Sequence, residues 1–192
     1  MQLQDTAKEK RVNAIVYFCR HTRNLSMTKL FKLLFFLDFL HFKEVGRPVT
    51  DLEYFAWDYG PVPAELFFEI KERRAPPEIL RCIVEEKDPL SGESKGQYFK
   101  SIKSPDLEVF SQREIRILEE VSEIFRDAKA TEMTEITHLK NEPWHKTLKT
   151  KGERAKIDFL LALDKDAKID EDLARDRLEL SKEMKRLFGE EE

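Results

Sequence analysis

Residues 27–43 read Met27-Thr28-Lys29-Leu30-Phe31-Lys32-Leu33-Leu34-Phe35-Phe36-Leu37-Asp38-Phe39-Leu40-His41-Phe42-Lys43. Wound as a helix at about 100° per residue, this stretch points apolar side chains in every direction. A surface helix confines them to one stripe, so this helix belongs at the centre of a domain, enclosed by the rest of the chain. Its polar residues form two groups. Lys29, Lys32 and Lys43 cluster on one side, and Asp38 and His41 stand three residues apart on roughly the opposite side. The apolar run over 30–42 is interrupted by Lys32, Asp38 and His41 and is too short and too polar to span a bilayer.

Working outward, Val12, Ile15, Val16 and Cys19 recur at helical spacing and predict a first helix over 5–21. Asn24 and Ser26 break the chain and cap the central helix, which Gly46 and Pro48 end. An extended stretch over 52–57 leads into Tyr59-Gly60-Pro61-Val62-Pro63. The two prolines exclude a helix until the second, which can open a short helix over 64–73 with Leu66, Phe67 and Ile70 on one face. Beyond Ala75-Pro76-Pro77, strands over 79–84 and 97–102 are expected to form a hairpin, with turn residues at 88–92 and at Gly96. Ser111 and Glu114 make a capping box, with Phe110 and Ile115 as its staple. That helix should run to 128 and bury Ile115, Leu118, Val121, Ser122 and Phe125. A shorter helix over 131–140 stops at Asn141-Glu142-Pro143-Trp144.

After Gly152 the character changes: 157–163 is one apolar run, and 170–188 is a charged helix with a thin seam of Leu173, Leu180, Met184 and Leu187. The acidic end, 190–192, is expected to fray. The fold class expected is α+β, a predominantly α-helical single domain with a small β-hairpin and a C-terminal helical extension. The domain should occupy residues 5–150, and the extension over 151–192 should dock on it.

The 192 residues suffice for one substantial domain, and 41% hydrophobic content supports a core, with 14 Phe pointing to large flat side chains inside it. Charged residues reach 38%, yet the signs nearly cancel to −4. A phosphate-binding face needs a basic excess, and only short stretches such as Arg73-Arg74 and 20–23 supply one, so nucleic-acid binding is disfavoured. Cys19 and Cys82 each lie in an apolar run and read as buried, reduced thiols. The polar residues 1–11 lack a signal-peptide core, which places the expected protein in the cytoplasm.

Catalytic and metal motifs are not found. The six glycines are scattered and build neither a Walker loop nor a dinucleotide fingerprint, and neither HExxH nor CxxC occurs. The acidic run over 164–175 fails as a calcium loop at Lys168, Ile169 and Arg175. No cofactor, metal ion or catalytic group is therefore expected. Two pairs stay open. His138 and His145 flank Trp144 as a base or ligand pair, or as a satisfied helix end; Asp38 and His41 form an acid–base pair, or a hydrogen-bonded buried group inside the helix. The aromatics Tyr54, Phe55, Trp57 and Tyr59, followed by a stiff turn, are either plain core or rigid anchors of a protein-binding hot spot.

Three blocks resemble the Panacea domain family, the SocA-like antitoxins of bacterial and phage toxin–antitoxin systems. The first is Lys29-Leu30-Phe31-Lys32-Leu33-Leu34-Phe35-Phe36, similar to the family's K-L-Q-K-L-L-Y-F helix. The second is Gly46-Arg47-Pro48-Val49-Thr50 followed by Phe55-Ala56-Trp57-Asp58-Tyr59-Gly60-Pro61-Val62-Pro63, similar to G-K-P-L and F-x-A-W-x-Y-G-P-V. The third, Thr137-His138 with Pro143-Trp144, matches a T-H-x-x-x-P-W ending. Order and spacing agree over residues 10–150, and residues beyond 150 extend past the shared blocks. Phe31 stands where the family has glutamine and Phe35 where it has tyrosine, which alters a polar contact along that helix.

The resemblance implies a helical domain with a small β element that neutralises a cognate toxin by direct contact. Some relatives act instead as adaptors that hand the toxin to a protease. On this resemblance, Trp57, Tyr59, Gly60, Pro61 and Val62 are the expected partner-binding residues. Lys32, Asp38, His138 and Trp144 are expected to hold the domain together or orient that turn. An enzyme using Asp38, His41 or His138 is the remaining alternative. The toxin's identity and the oligomeric state are not specified by these residues.

Overall fold

The computed structural model describes residues 3–87, 94–139 and 142–188. At its centre is α2, Met27–Val45, capped by Ser26, whose side chain accepts from the Lys29 amide, and closed by Gly46 at φ 64°, whose N–H bonds the Phe42 carbonyl. The helix is buried from Lys29 to Phe42 on nearly every side. Helix α1, Leu3–His21, and helix α5, Gln112–Ile124, pack along it, and α6, Ala130–Thr137, crosses it near its start. The capping box at Ser111 and Glu114 forms, and Leu118, Val121, Ser122 and Phe125 are buried. The helix stops at Ile124, short of 128.

Because α2 is enclosed, its polar side chains must find partners inside the fold. Lys29 donates to the carbonyls of Arg23, Arg126 and Ala128 at 2.9, 3.0 and 2.7 Å, tying the α1–α2 loop to the end of α5. Asp38 accepts from the amides of Val49 and Thr50, both at 2.8 Å, and from the hydroxyls of Thr50 and Tyr54. Burial pushes the Asp38 carboxyl up to about 6, and these four donors hold it back. His41 Nδ1 bonds the Arg47 carbonyl at 2.7 Å. Asp38 and His41 therefore grip different points of one loop; no acid–base pair joins them.

Two antiparallel strand pairs are present where one hairpin was expected. Phe55–Trp57 (β1) pairs with Gly60–Val62 (β2), and Ile83–Lys87 (β3) with Ser94–Phe99 (β4). The first pair uses the segment read as an extended stretch and stiff turn; Pro61, in the middle of β2, is compatible with strand because it stands opposite Ala56, whose backbone groups bond 154–155 on the other side, so no ladder bond needs an N–H at 61. It leads into α3, Ala64–Lys71. The second pair is displaced from its expected span, because Pro76 and Pro77 open a single helical turn, α4, Pro77–Leu80, that consumes the start of the predicted strand. Ile102 is fully exposed, outside the ladder. The expected turn over 88–92 lies outside the described residues, as do 140–141 at the end of the predicted 131–140 helix and the acidic end. A further helix, α7, Pro143–Lys151, begins where the sequence suggested only a stop, since proline serves as a first helical residue.

The chain after Gly152 is woven into this frame. The amides of Arg154 and Ile157 bond the carbonyls of Ala56 and Tyr54, and the Ala56 amide bonds the Ala155 carbonyl, so 154–157 runs along the free edge of β1. A 3-10 turn, Phe159–Ala162, follows, and the Phe159 ring stacks on Phe39 at 4.4 Å. Helix α8, Glu171–Phe188, buries Ala174 against Gly46, where a Cβ would stand 3.1 Å from the Ala174 Cα. Its expected seam faces outward: Leu173, Leu180 and Leu187 are exposed, because the small Ala174, not a leucine, permits the close approach. Cys19 and Cys82 are free and buried. The Cys82 thiol donates to the Glu78 carbonyl at 3.2 Å, and the mutual influence of the two thiols holds Cys19 up and draws Cys82 down. Among the described residues, no helix is long and apolar enough to cross a membrane.

Replacing Asp38 by alanine leaves four buried donors without an acceptor. The expected loss is about 3–5 kcal/mol of unfolding free energy, with a lower urea midpoint at an unchanged slope.

Candidate functional site

The β1–β2 hairpin is closed by the two-residue turn Asp58-Tyr59, with Trp57 opposite Gly60. Gly60 is required twice over. Its φ of +114° is rarely adopted by residues with a side chain, and a Cβ there would lie 2.5 Å from Lys32 Nζ and 3.1 Å from Thr137 Oγ1. The turn is thereby pressed onto α2 and α6. Lys32, one turn beyond Lys29, reaches up to donate to the Tyr59 carbonyl.

Behind the hairpin, α6 ends at Thr137 and His138, and α7 supplies Trp144 from its first turn. The His138 and Trp144 rings stack at 3.7 Å with only 4° between their planes. Trp144 Nε1 donates to the Trp57 carbonyl at 2.9 Å, so the stack clamps the base of β1. His138 Nε2 is buried with no hydrogen-bond partner among the described residues. Burial, Lys32 and His145 push its pKa down, which favours a neutral ring.

In front, α3 brings Phe67 edge-on to Trp57 at 5.0 Å, and Phe31 of α2 meets Phe67 at 6.3 Å. The Arg154 guanidinium lies over the Trp57 ring at 5.7 Å. Together these residues enclose a groove of about 260 Å³, walled by Met27, Phe31, Trp57, Pro61, Val62 and Phe67, with Lys32 in its lining and Asp58, Tyr59 and Arg154 beside them. Phe31, one of the two departures from the family pattern, makes this wall apolar.

Lys29 and Lys32 have different surroundings. The Lys29 ammonium has three carbonyl acceptors, while that of Lys32, only 1% exposed, has one, and no carboxylate pairs with it among the described residues. Burial lowers the Lys32 pKa to about 8. Holding that cation charged at pH 7 therefore costs the fold about 3 kcal/mol. Lys29 is a clamp; Lys32 is a strained guest.

Of the five expected contact residues, Tyr59 is 75% exposed, Trp57 and Val62 are half-buried, and Gly60 and Pro61 are buried. Lys32, His138 and Trp144 converge on the same hairpin. Asp38 does not; it serves the Thr50 loop, and no hydrogen bond joins Asp38, His41 and His138 to one another. His138 stacks on Trp144, and His145 lies 6.5 Å from Trp144 by ring centroids; among the described residues no hydrogen bond joins the two histidines. Among the described residues, no group of three or more His, Cys, Asp or Glu could hold a metal ion. Sequence reading missed Met27, Phe31, Phe67 and Arg154 as groove residues. The first three carried only an apolar signal indistinguishable from core, and Arg154 carried none.

The arrangement is a rigid aromatic turn on a helical frame, drawing together three separate sequence blocks. The chain belongs to the antitoxin SocA-like, Panacea domain family, whose model matches residues 30–145. An antitoxin-type role goes with that membership. No curated protein and no solved structure matches the chain.

Two substitutions separate the two lysines. Lys29→Met removes three hydrogen bonds, although the Arg126 carbonyl keeps the Arg23 amide as a donor, and is expected to cost about 2–4 kcal/mol. Lys32→Met removes a costly cation and one hydrogen bond, and is expected to raise stability by about 1–2 kcal/mol at pH 7. The folded Lys32 releases its proton near pH 8, whereas the unfolded chain keeps it to above pH 10, so wild-type stability rises relative to the variant across that window. Thermal melts at pH 7 and pH 9.5 should show the methionine advantage shrinking.

Proposed function

We propose that the chain is an antitoxin that neutralises a cognate toxin by direct protein–protein contact, made through the groove and the Tyr59 turn. The observation that supports this most is the exposed Tyr59 side chain standing on a hairpin whose backbone is fixed by Lys32, Trp144 and the glycine contact at Gly60. A large ring held on a rigid backbone loses little entropy on docking, which is the requirement for a binding hot spot. Trp57 and Phe67 continue that surface inward as an apolar pocket. Arg154 over the Trp57 ring adds a polarisable rim.

Co-expression with the product of the adjacent gene tests the proposal, with growth and co-elution scored together. The neighbour alone should arrest growth, and the pair should grow and co-elute. Tyr59→Ala changes only an exposed side chain and should keep its melting temperature. It should nevertheless weaken the complex by about tenfold or more, as loss of a hot-spot ring does; Trp57→Ala should weaken it further. Unchanged affinity in both variants would sink the assignment of this surface. Rescue without co-elution, with the neighbour's protein disappearing unless a protease is deleted, would replace neutralisation by delivery to that protease.

A further inference from the structure

Helix α8 lies beyond the residues matched by the family model and is anchored away from the groove. The groove is walled by Met27 and Phe31 near the start of α2. Helix α8 meets α2 at its other end, where Ala174 is buried against Gly46 and Arg177 donates to the Val45 carbonyl at 2.6 Å. Met27 and Val45 stand about 27 Å apart along the helix axis. Around α8 the side chains fall into rows. Ala174, Arg177 and Leu178 turn to the domain. Leu173, Leu180 and Leu187, each seven residues from the next, form a second row roughly a third of a turn away. They are 42%, 48% and 63% exposed, with Met184 half-buried beside them. A third row, Asp172, Asp176, Glu179 and Glu183, runs along the outer side of the leucines, and all four are exposed. Among the described residues the ion pair within α8 joins Arg175 to Glu171, and no cation pairs with the acidic row. Arg175, Lys182 and Arg186 lie past that row, on its far side from the leucines.

We infer that this face of α8 is a second docking surface, distinct from the groove, and that its occupant is an amphipathic helix of a partner protein with a basic flank. A single exposed leucine needs no explanation, but a row of them at heptad spacing is the pattern that interlocks with another helix. The partner helix therefore carries apolar residues at the same spacing. The acidic row beside the leucines fixes its charge: Lys or Arg on the flank that meets Asp176 and Glu183. A second copy of α8 is a poor occupant. Packed antiparallel, it would set acidic row against acidic row. Packed parallel, it would bring its acidic row to the flank whose Arg177 is already bonded to the Val45 carbonyl. An anionic lipid surface is disfavoured by the same four carboxylates.

The test titrates the full chain into two fluorescent synthetic helices of about three heptads, both with leucine seams, one flanked by lysines and the other by glutamates. The lysine-flanked helix should bind about tenfold tighter or more, and its advantage should shrink as salt is raised. The double variant Asp176→Lys, Glu183→Lys alters only exposed side chains and should reverse the preference. The triple variant Leu173→Ser, Leu180→Ser, Leu187→Ser should keep its circular dichroism and lose both helices. Tyr59→Ala should leave both affinities unchanged, because the groove is a separate site. Equal binding of the two helices, or a preference that survives the serine variant, would overturn the proposal. So would binding that depends on Tyr59. A dimer, or binding to phosphatidylglycerol vesicles, that forms with wild type and is lost in the serine variant would give the face to another occupant.

Discussion

Helix α2 is surrounded, and every polar group it carries into the interior has to be satisfied by the chain around it. A buried polar group left unpaired costs about 1–3 kcal/mol, so Lys29, Asp38 and His41 are tolerable only because each captures the backbone of an irregular segment. Lys29 holds the loop before the helix and the end of α5; Asp38 and His41 hold the loop that follows it. The central helix thus organises the loops as well as the core. Its aromatic side chains then set the outer layer, with Phe39 between Phe35 and Phe159 at 4.0 and 4.4 Å.

Lys32 departs from this economy. It is as buried as Lys29 but has a single acceptor, the carbonyl of the exposed Tyr59. Stability alone would favour methionine there. A residue that costs the fold stability while holding an exposed turn in place is the pattern a trade between stability and the proposed binding role would leave. Gly60 completes the device, since only a residue without a side chain lets the turn lie against the ammonium.

The segment after Gly152 is part of the same construction. A two-stranded hairpin is marginal by itself, and residues 154–157 supply hydrogen bonds along its open edge. The same passage places Arg154 over Trp57 and Phe159 against the aromatic core. The family match covers residues 30–145, so Arg154, like Met27, joins the groove from chain outside the matched region. Among related chains, differences in this passage would alter the groove's charge without touching its three shared blocks.

Much of this was legible in the chain itself. The all-round apolar surface of 27–43 placed α2 at the centre, Ser111 with Glu114 marked a helix start, and the Trp57-to-Pro63 block marked a stiff aromatic turn. These signals are local: periodicity, capping and proline geometry act over a few residues. The sequence reading put a strand at 79–84, where Pro76 and Pro77 start a helical turn, and stopped at Pro143, where a helix begins, because proline opens helices as readily as it ends them. It set the α8 seam on leucines that the fold leaves in solvent. Only tertiary structure decided which of two similar lysines is saturated, which loops Asp38 and His41 serve, and that Arg154 reaches Trp57. Those outcomes depend on which carbonyls and rings arrive from distant parts of the chain, and no spacing within a helix encodes that.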